Sequence, residues 1–144
     1  MNLENKFSRI FLAIQTLFDD NDITQIEDAN RFITQWQLSS NSIEDCVEIL
    51  FTVDESHIIF IMIKTIQIHI RFFWDKTINK KDFILESLLS LLTKSYILQI
   101  HRDFIFICIS DIANQTGNLD ETIINSIPEE FILRFFSFFF VPVK

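Results

Sequence analysis

Between Asp54 and Trp74 runs DESHIIFIMIKTIQIHIRFFW, about twenty residues with no glycine, proline or Asn-Gly turn to reverse the chain. Alone, Ile66, Ile68 and Ile70 alternating with Gln67, His69 and Arg71 describe a half-buried strand. A run this long far exceeds the usual strand of about five or six residues, and nothing in it makes a hairpin. As a helix, Ile59, Met62, Ile63, Ile66, Ile70 and Phe73 form one stripe, and Ile58, Phe60 and Ile61 widen it until most of the circumference is apolar. Asp54, Glu55 and Ser56 supply an acidic cap, and Arg71 places a cation near the end where the helix dipole favours one. The segment is expected to be a helix nearly engulfed by its neighbours.

The same logic extends to the whole chain. Sheets reverse direction on glycine-rich turns, and here Gly117 stands alone with two prolines in 144 residues. The fold class is therefore all-α. A chain of this length forms one domain by default, spanning 1–144, and its 49% hydrophobic content is enough for a real core.

Phe7, Ile10, Phe11, Ile14, Leu17 and Phe18 share a face of the first helix, which Asp19, Asp20, Asn21 and Asp22 end before a second begins near Ile23. That second helix points Ile26, Ala29, Phe32 or Ile33, and Trp36 inward. A third carries Ile43, Cys46, Val47, Leu50 and Phe51. After the central segment, Asp75–Lys81 reads as a loop. A fifth helix holds Phe83, Ile84, Leu88, Leu91 and Leu92, and a sixth holds Ile97, Ile100, Phe104, Ile105, Cys108, Ile112 and Ala113. Gly117 suits the left-handed position just past a helix end. Leu119–Ile127 makes a short seventh and Glu129–Val141 an eighth.

Helical hairpins thus begin near Phe7, Ser42, Lys80 and Leu119, at intervals of roughly 35 to 40 residues. The expected architecture is an α-solenoid of antiparallel helix pairs of HEAT-like type, about seven to eight helices, with repeats near 7–39, 42–74, 80–115 and 119–141. A globular helical bundle fits the periodicity equally well, and the chain would then be a compact protein-interaction module with a groove for an amphipathic partner helix.

The charge of −8 argues against nucleic acid or an anionic membrane as partner and favours a basic protein surface. Lys64 interrupts the apolar run, so no membrane span is expected. Cys46 and Cys108 belong to no CxxC or Cys/His set and read as buried, reduced thiols. The charged N-terminus does not resemble a secretion signal. His57, His69 and His101 are expected on different helices, exposed or partly buried, with no metal-binding spacing. Asp19, Asp20 and Asp22 lack the glycine and distal glutamate of a calcium loop. Ser42 and Cys46 have no histidine near them in sequence, though a partner in space stays open. No catalytic, cofactor or metal site is assigned, and no enzyme activity is expected. The tail Phe131–Val141, FILRFFSFFFV, is apolar enough to suggest self-association.

Several local patterns, in order, resemble the N-terminal region of the importin-β superfamily of nuclear transport receptors, nearest the transportin and exportin-like branch. They are Ala13-Ile14-Gln15-Thr16-Leu17-Phe18 before an acidic loop; Ala29, Phe32, Ile33, Trp36, Gln37 and Ser39; Glu55-Ser56 followed by Ile59; Ser110-Asp111-Ile112-Ala113, similar to an Ala-Asp-Leu-Ala helix ending; and Ser126-Ile127-Pro128-Glu129-Glu130. The chain departs from the pattern at Ile43, where the family has Trp, at Met62 for Gln, and at Phe60 and Ile61 for small residues. It would form only the first three to four repeats of such a receptor. The resemblance implies a binding module of cytoplasm and nucleus that takes the small GTPase Ran in its GTP form on a concave face. Cargo proteins and nucleoporins would bind further repeats, whereas the compact bundle would have no transport role. The implied Ran-binding residues lie on the second helix of each pair: Asn30, Thr34 and Gln37; Lys64, Gln67 and Arg71; Asp111 and Asn114.

Overall fold

A computed structural model of the chain describes residues 3–19, 21–117 and 121–139, with side chains described for 6–19, 21–117 and 124–137. Asp20, Leu119 and Val141, to which the sequence assigned a cap and two helix ends, lie outside them. The fold is all-α, and no strand occurs among the described residues. In order come α1 (Leu3–Asp19), α2 (Ile23–Gln37), α3 (Ser42–Leu50), α4 (Ser56–Phe72), α5 (Trp74–Thr77), α6 (Lys81–Leu91), α7 (Gln99–Thr116), α8 (Glu121–Ser126) and α9 (Ile132–Phe139), with 3-10 turns at Ile78–Lys80 and Glu129–Phe131.

The central segment is α4, and its pattern explains its place. Ile59, Met62, Ile63, Ile66 and Ile70 are fully buried, and Ile58 and Ile61 nearly so. Only Ser56, Phe60, Lys64 and Arg71, a narrow strip at helical spacing, and Phe72 at the end are exposed. Such a helix must be covered from two sides. α3, its hairpin partner, covers one, and α7, from the following pair, covers the other. α1 packs on α2, and α9 packs on α7.

Constant sequence offsets fix how α4 meets α7. The Ser56 hydroxyl meets His101, the Ile63 carbonyl lies beside the Cys108 sulfur, and the Ile70 carbonyl accepts from Gln115, each across 45 residues. An offset that stays constant while both positions advance means that the helices run parallel. The steps of seven are the heptad that keeps one face of each helix against the other. The offset from one second helix to the next is thus longer here than the hairpin starts suggested.

Other expectations change in detail. Residues Asp75–Lys81 are no open loop. α5 and the 3-10 turn after it occupy them, bending the chain by 109° between Ser56–Phe72 and Trp74–Leu91. Thr77 secures the bend by donating to the carbonyls of Phe73 (2.7 Å) and His69 (3.2 Å). Phe18, Phe51, Phe83 and Ile100, all expected inward, are exposed, and each sits at or near a helix end. Ala13 joins the core of α1 instead. Asp22 caps α2 as expected, its carboxylate accepting from the Thr24 amide at 2.9 Å. Asp54 and Glu55 do not cap α4: Glu55 holds the N-cap position without a side-chain bond. Gly117 ends α7 at φ 74°, the left-handed conformation only glycine adopts without strain. Both cysteines are buried and free. Among the described residues no single helix is long and apolar enough to cross a membrane.

Among the described residues one buried side chain lacks a hydrogen-bond partner. Ser110, where the resemblance places an alanine, leaves its hydroxyl without a hydrogen bond among the described residues. Ser110→Ala removes that orphan and is expected to raise stability by up to about 1 kcal/mol. Ile66→Ala opens a cavity in the fully buried face of α4 and is expected to cost about 3 kcal/mol. Urea unfolding monitored by circular dichroism measures both.

Candidate protein-binding surfaces

Two surfaces carry enough polar or exposed apolar chemistry to serve a partner. The first is the polar side of α2, α4 and α7, where the sequence placed its eight candidates. Gln67 and Arg71 converge on Asp111: Gln67 Nε2 donates to Oδ2 at 3.3 Å, and Arg71 donates to both carboxylate oxygens, at 2.8 and 3.3 Å. Gln67 is buried and Asp111 half-buried, so this trio fastens α4 to α7. Arg71 is about half exposed, and such a pair contributes about 1 kcal/mol at most. Gln37 reaches across from α2, donating to the Thr65 hydroxyl on α4 at 2.9 Å. Asn30, Thr34, Lys64 and Asn114 are exposed and face solvent. Half of the expected contact residues are therefore engaged within the fold.

Two buried histidines, which the sequence placed nearer the surface, complete the fastening. His69 shares α4 with His57, contrary to the expectation of separate helices. Its Nε2 lies 2.6 Å from the Gln37 carbonyl and 2.8 Å from the Ser42 hydroxyl, so Nε2 carries the hydrogen and donates to that carbonyl. Ser42 donates in turn to main-chain carbonyls of Gln37 or Ser39. Ser42 therefore has its histidine partner in space, but a protonated Nε2 cannot take the serine proton, and Ser42 is fully buried. The pair holds the α2–α3 turn against α4.

His101 does the same at the start of α7. Its Nδ1 accepts from the Leu98 amide at 3.1 Å, acting as the return arm of a helix cap, and its Nε2–H faces the Ser56 carbonyl at 3.2 Å. Adding a proton at Nδ1 would set two donors face to face. Burial likewise lowers the pKa of the ring below its ordinary 6.5, partly offset by the Ser56 carbonyl. Cys46 and Cys108, buried in the core, have thiol pKa values raised by the same loss of solvent.

The second surface escaped the sequence. α1 and the segment from Thr52 to Ile58 bound an open groove of about 920 Å³. Ser8, Phe11, Leu12, Gln15 and Asp19 form the α1 wall, one side of that helix over about 16 Å. Val53, Asp54, Glu55 and His57 stand opposite. Leu12 is 64% exposed in this wall. Its signals in the sequence were a leucine outside the inner stripe of α1 and two carboxylates ahead of α4 that make no cap.

Part of the Phe-rich tail is consumed within the chain. Phe135 is fully buried against Phe106, Phe131 and Phe136 are half-buried, and Arg134 pairs with Asp103 through both carboxylate oxygens. Among the described side chains of α9, Leu133, 83% exposed, stays outside. Among the described residues no cluster of three or more His, Cys, Asp or Glu side chains can hold a metal ion. No family model matches the chain, and neither a curated protein nor a solved structure matches it.

The histidine geometry sets a pH dependence. Above pH about 6.5 the ring is neutral in both folded and unfolded chains. Below it, the unfolded ring takes up a proton that the folded ring resists, so stability falls until the lowered folded pKa is passed. His101→Gln keeps an acceptor for Leu98 and a donor for Ser56 but does not titrate. The stability of wild type relative to His101→Gln is expected to decrease between pH 7.5 and 5 in urea titrations.

Proposed function

We propose that this chain is a protein-interaction module: a short row of helix pairs in which each pair leans on the one before and the one after. The offset of 45 residues between α4 and α7, constant over three contacts, is the observation that carries the proposal. It falls within the roughly 40 to 47 residues of HEAT and armadillo units. Links on either side fit the same order: Trp36 donates to Asp45, Lys6 pairs with Glu48, Tyr96 donates to the Leu50 carbonyl, and Arg134 pairs with Asp103. A row of this kind leaves long faces open to a partner, which is how solenoids bind. The charge of −8 suits partners with basic surfaces.

The narrower proposal is that the row is the N-terminal part of a nuclear transport receptor, with Ran·GTP on the polar face of α2, α4 and α7. Its support is the resemblance, the repeat-like order of the helix pairs and the acidic charge. Asn30, Thr34, Lys64 and Asn114, the exposed members of the set, would make the contacts.

Small-angle scattering tests the row itself. A bundle closed around one centre gives a radius of gyration of about 14 to 15 Å, and the row gives a clearly larger value. Titration calorimetry with Ran loaded with GTP or GDP tests the narrower proposal. Binding of the GTP form alone is expected; equal binding of both, or of neither, removes the transport role and leaves the interaction module standing.

A further inference from the structure

The groove between α1 and residues Thr52–Ile58 has features that together define an occupant, and assigning one rests on the interaction-module proposal. Its wall is apolar where a partner would lie: Phe11 and Val53 are half-buried, and Leu12 is 64% exposed. Its charge has one sign. Asp19, Asp54 and Glu55 line it, and among the described residues no lysine or arginine does. The cations of α1 are held elsewhere, Lys6 by Glu48 at 2.9 Å and Arg9 over the Phe32 ring at 4.7 Å. Asp54 and Glu55 carry no capping duty that would explain them. His57, also in the lining, rests edge-on against Phe18 at 5.2 Å and lies 3.6 Å from the Glu55 carboxylate.

We propose that this groove binds a basic amphipathic helix from a partner protein. The α1 wall is about 16 Å long, room for about three turns of a guest helix. Leucine-like side chains of the guest, at spacings of three and four, would lie on Phe11, Leu12 and Val53. Lysine or arginine residues would face Asp19, Asp54 and Glu55, giving the guest its direction and a salt-dependent association rate. The apolar contacts supply most of the affinity, because exposed ion pairs contribute little.

The test uses the full chain and two synthetic fluorescein-labelled helices of about fourteen residues, one of leucine and lysine and one of leucine and glutamate at the same positions. Fluorescence anisotropy is expected to show binding of the lysine peptide, weakened about tenfold or more by Leu12→Asp and by Asp54→Lys/Glu55→Lys. The charge-reversed variant is expected to gain binding of the glutamate peptide. Circular dichroism confirms that both variants fold, since all three positions are exposed. Amide shift perturbations are expected on α1 and residues 52–58. Lysine-peptide binding unaffected by either variant, or no binding, overturns the proposal. Perturbations confined to the polar face of α2, α4 and α7 also overturn it while leaving the interaction module intact. Dimerisation of the chain that Leu12→Asp abolishes, without peptide binding, assigns the groove to a second copy and overturns it too.

Discussion

A helix that is apolar around most of its circumference has to be covered from more than one side, and α4 is such a helix. Its hairpin partner α3 can cover only the face that the α3–α4 link allows. The opposite face needs a helix from elsewhere, and α7 supplies it. That requirement places the third helix pair beside the second. It also explains why Phe60, on the narrow open strip, lies edge-on to Phe104 of α7 at 5.3 Å rather than free in water.

Apolar packing alone would let two parallel helices slide by a turn. Polar side chains remove that freedom. His101 with Ser56 at one end and Gln115 with the Ile70 carbonyl at the other are satisfied at one register only, and Gln67, Arg71 and Asp111 add a third fix between them. A one-turn slip would take the Ser56 carbonyl from the buried His101 Nε2–H and the Asp111 carboxylate from Gln67, at a cost of about 1 to 3 kcal/mol for each lost partner. On the other side of α4, Thr65 and His69 hold Gln37 and the α2–α3 turn in the same manner. α4 is thus located by apolar pressure and oriented by polar bonds on both flanks.

The helices were legible from the sequence because helical periodicity and the lack of turn residues are local properties. The inner faces of α4 and of the middle of α7 were legible for the same reason. Partnerships between helices were not, since nothing in Ser56, Ile63 and Ile70 names His101, Cys108 and Gln115 until the 45-residue offset is known. The inward assignment failed for Phe18, Phe51, Phe83 and Ile100, which lie at or near helix ends, because periodicity marks a face of a helix but not how far along it that face is covered. Of the eight polar candidates, Gln37, Gln67, Arg71 and Asp111 hold helices together, a use that exposed and interhelical residues share in composition and differ in only by geometry. The acidic groove went unread because Asp54 and Glu55 so strongly resemble a helix cap.

The proposed row of helix pairs depends on α4 and α7 running side by side in parallel. Both native cysteines are buried, so a nitroxide attached through Phe72→Cys, at a position 73% exposed, will report from the end of α4 alone. Paramagnetic broadening of amide signals is the direct measurement. α7 is about 27 Å long, which separates its two ends well beyond ambiguity. Parallel packing predicts strong broadening at Asn114–Gly117 and sharp signals at Gln99–Arg102; the reverse pattern would contradict it.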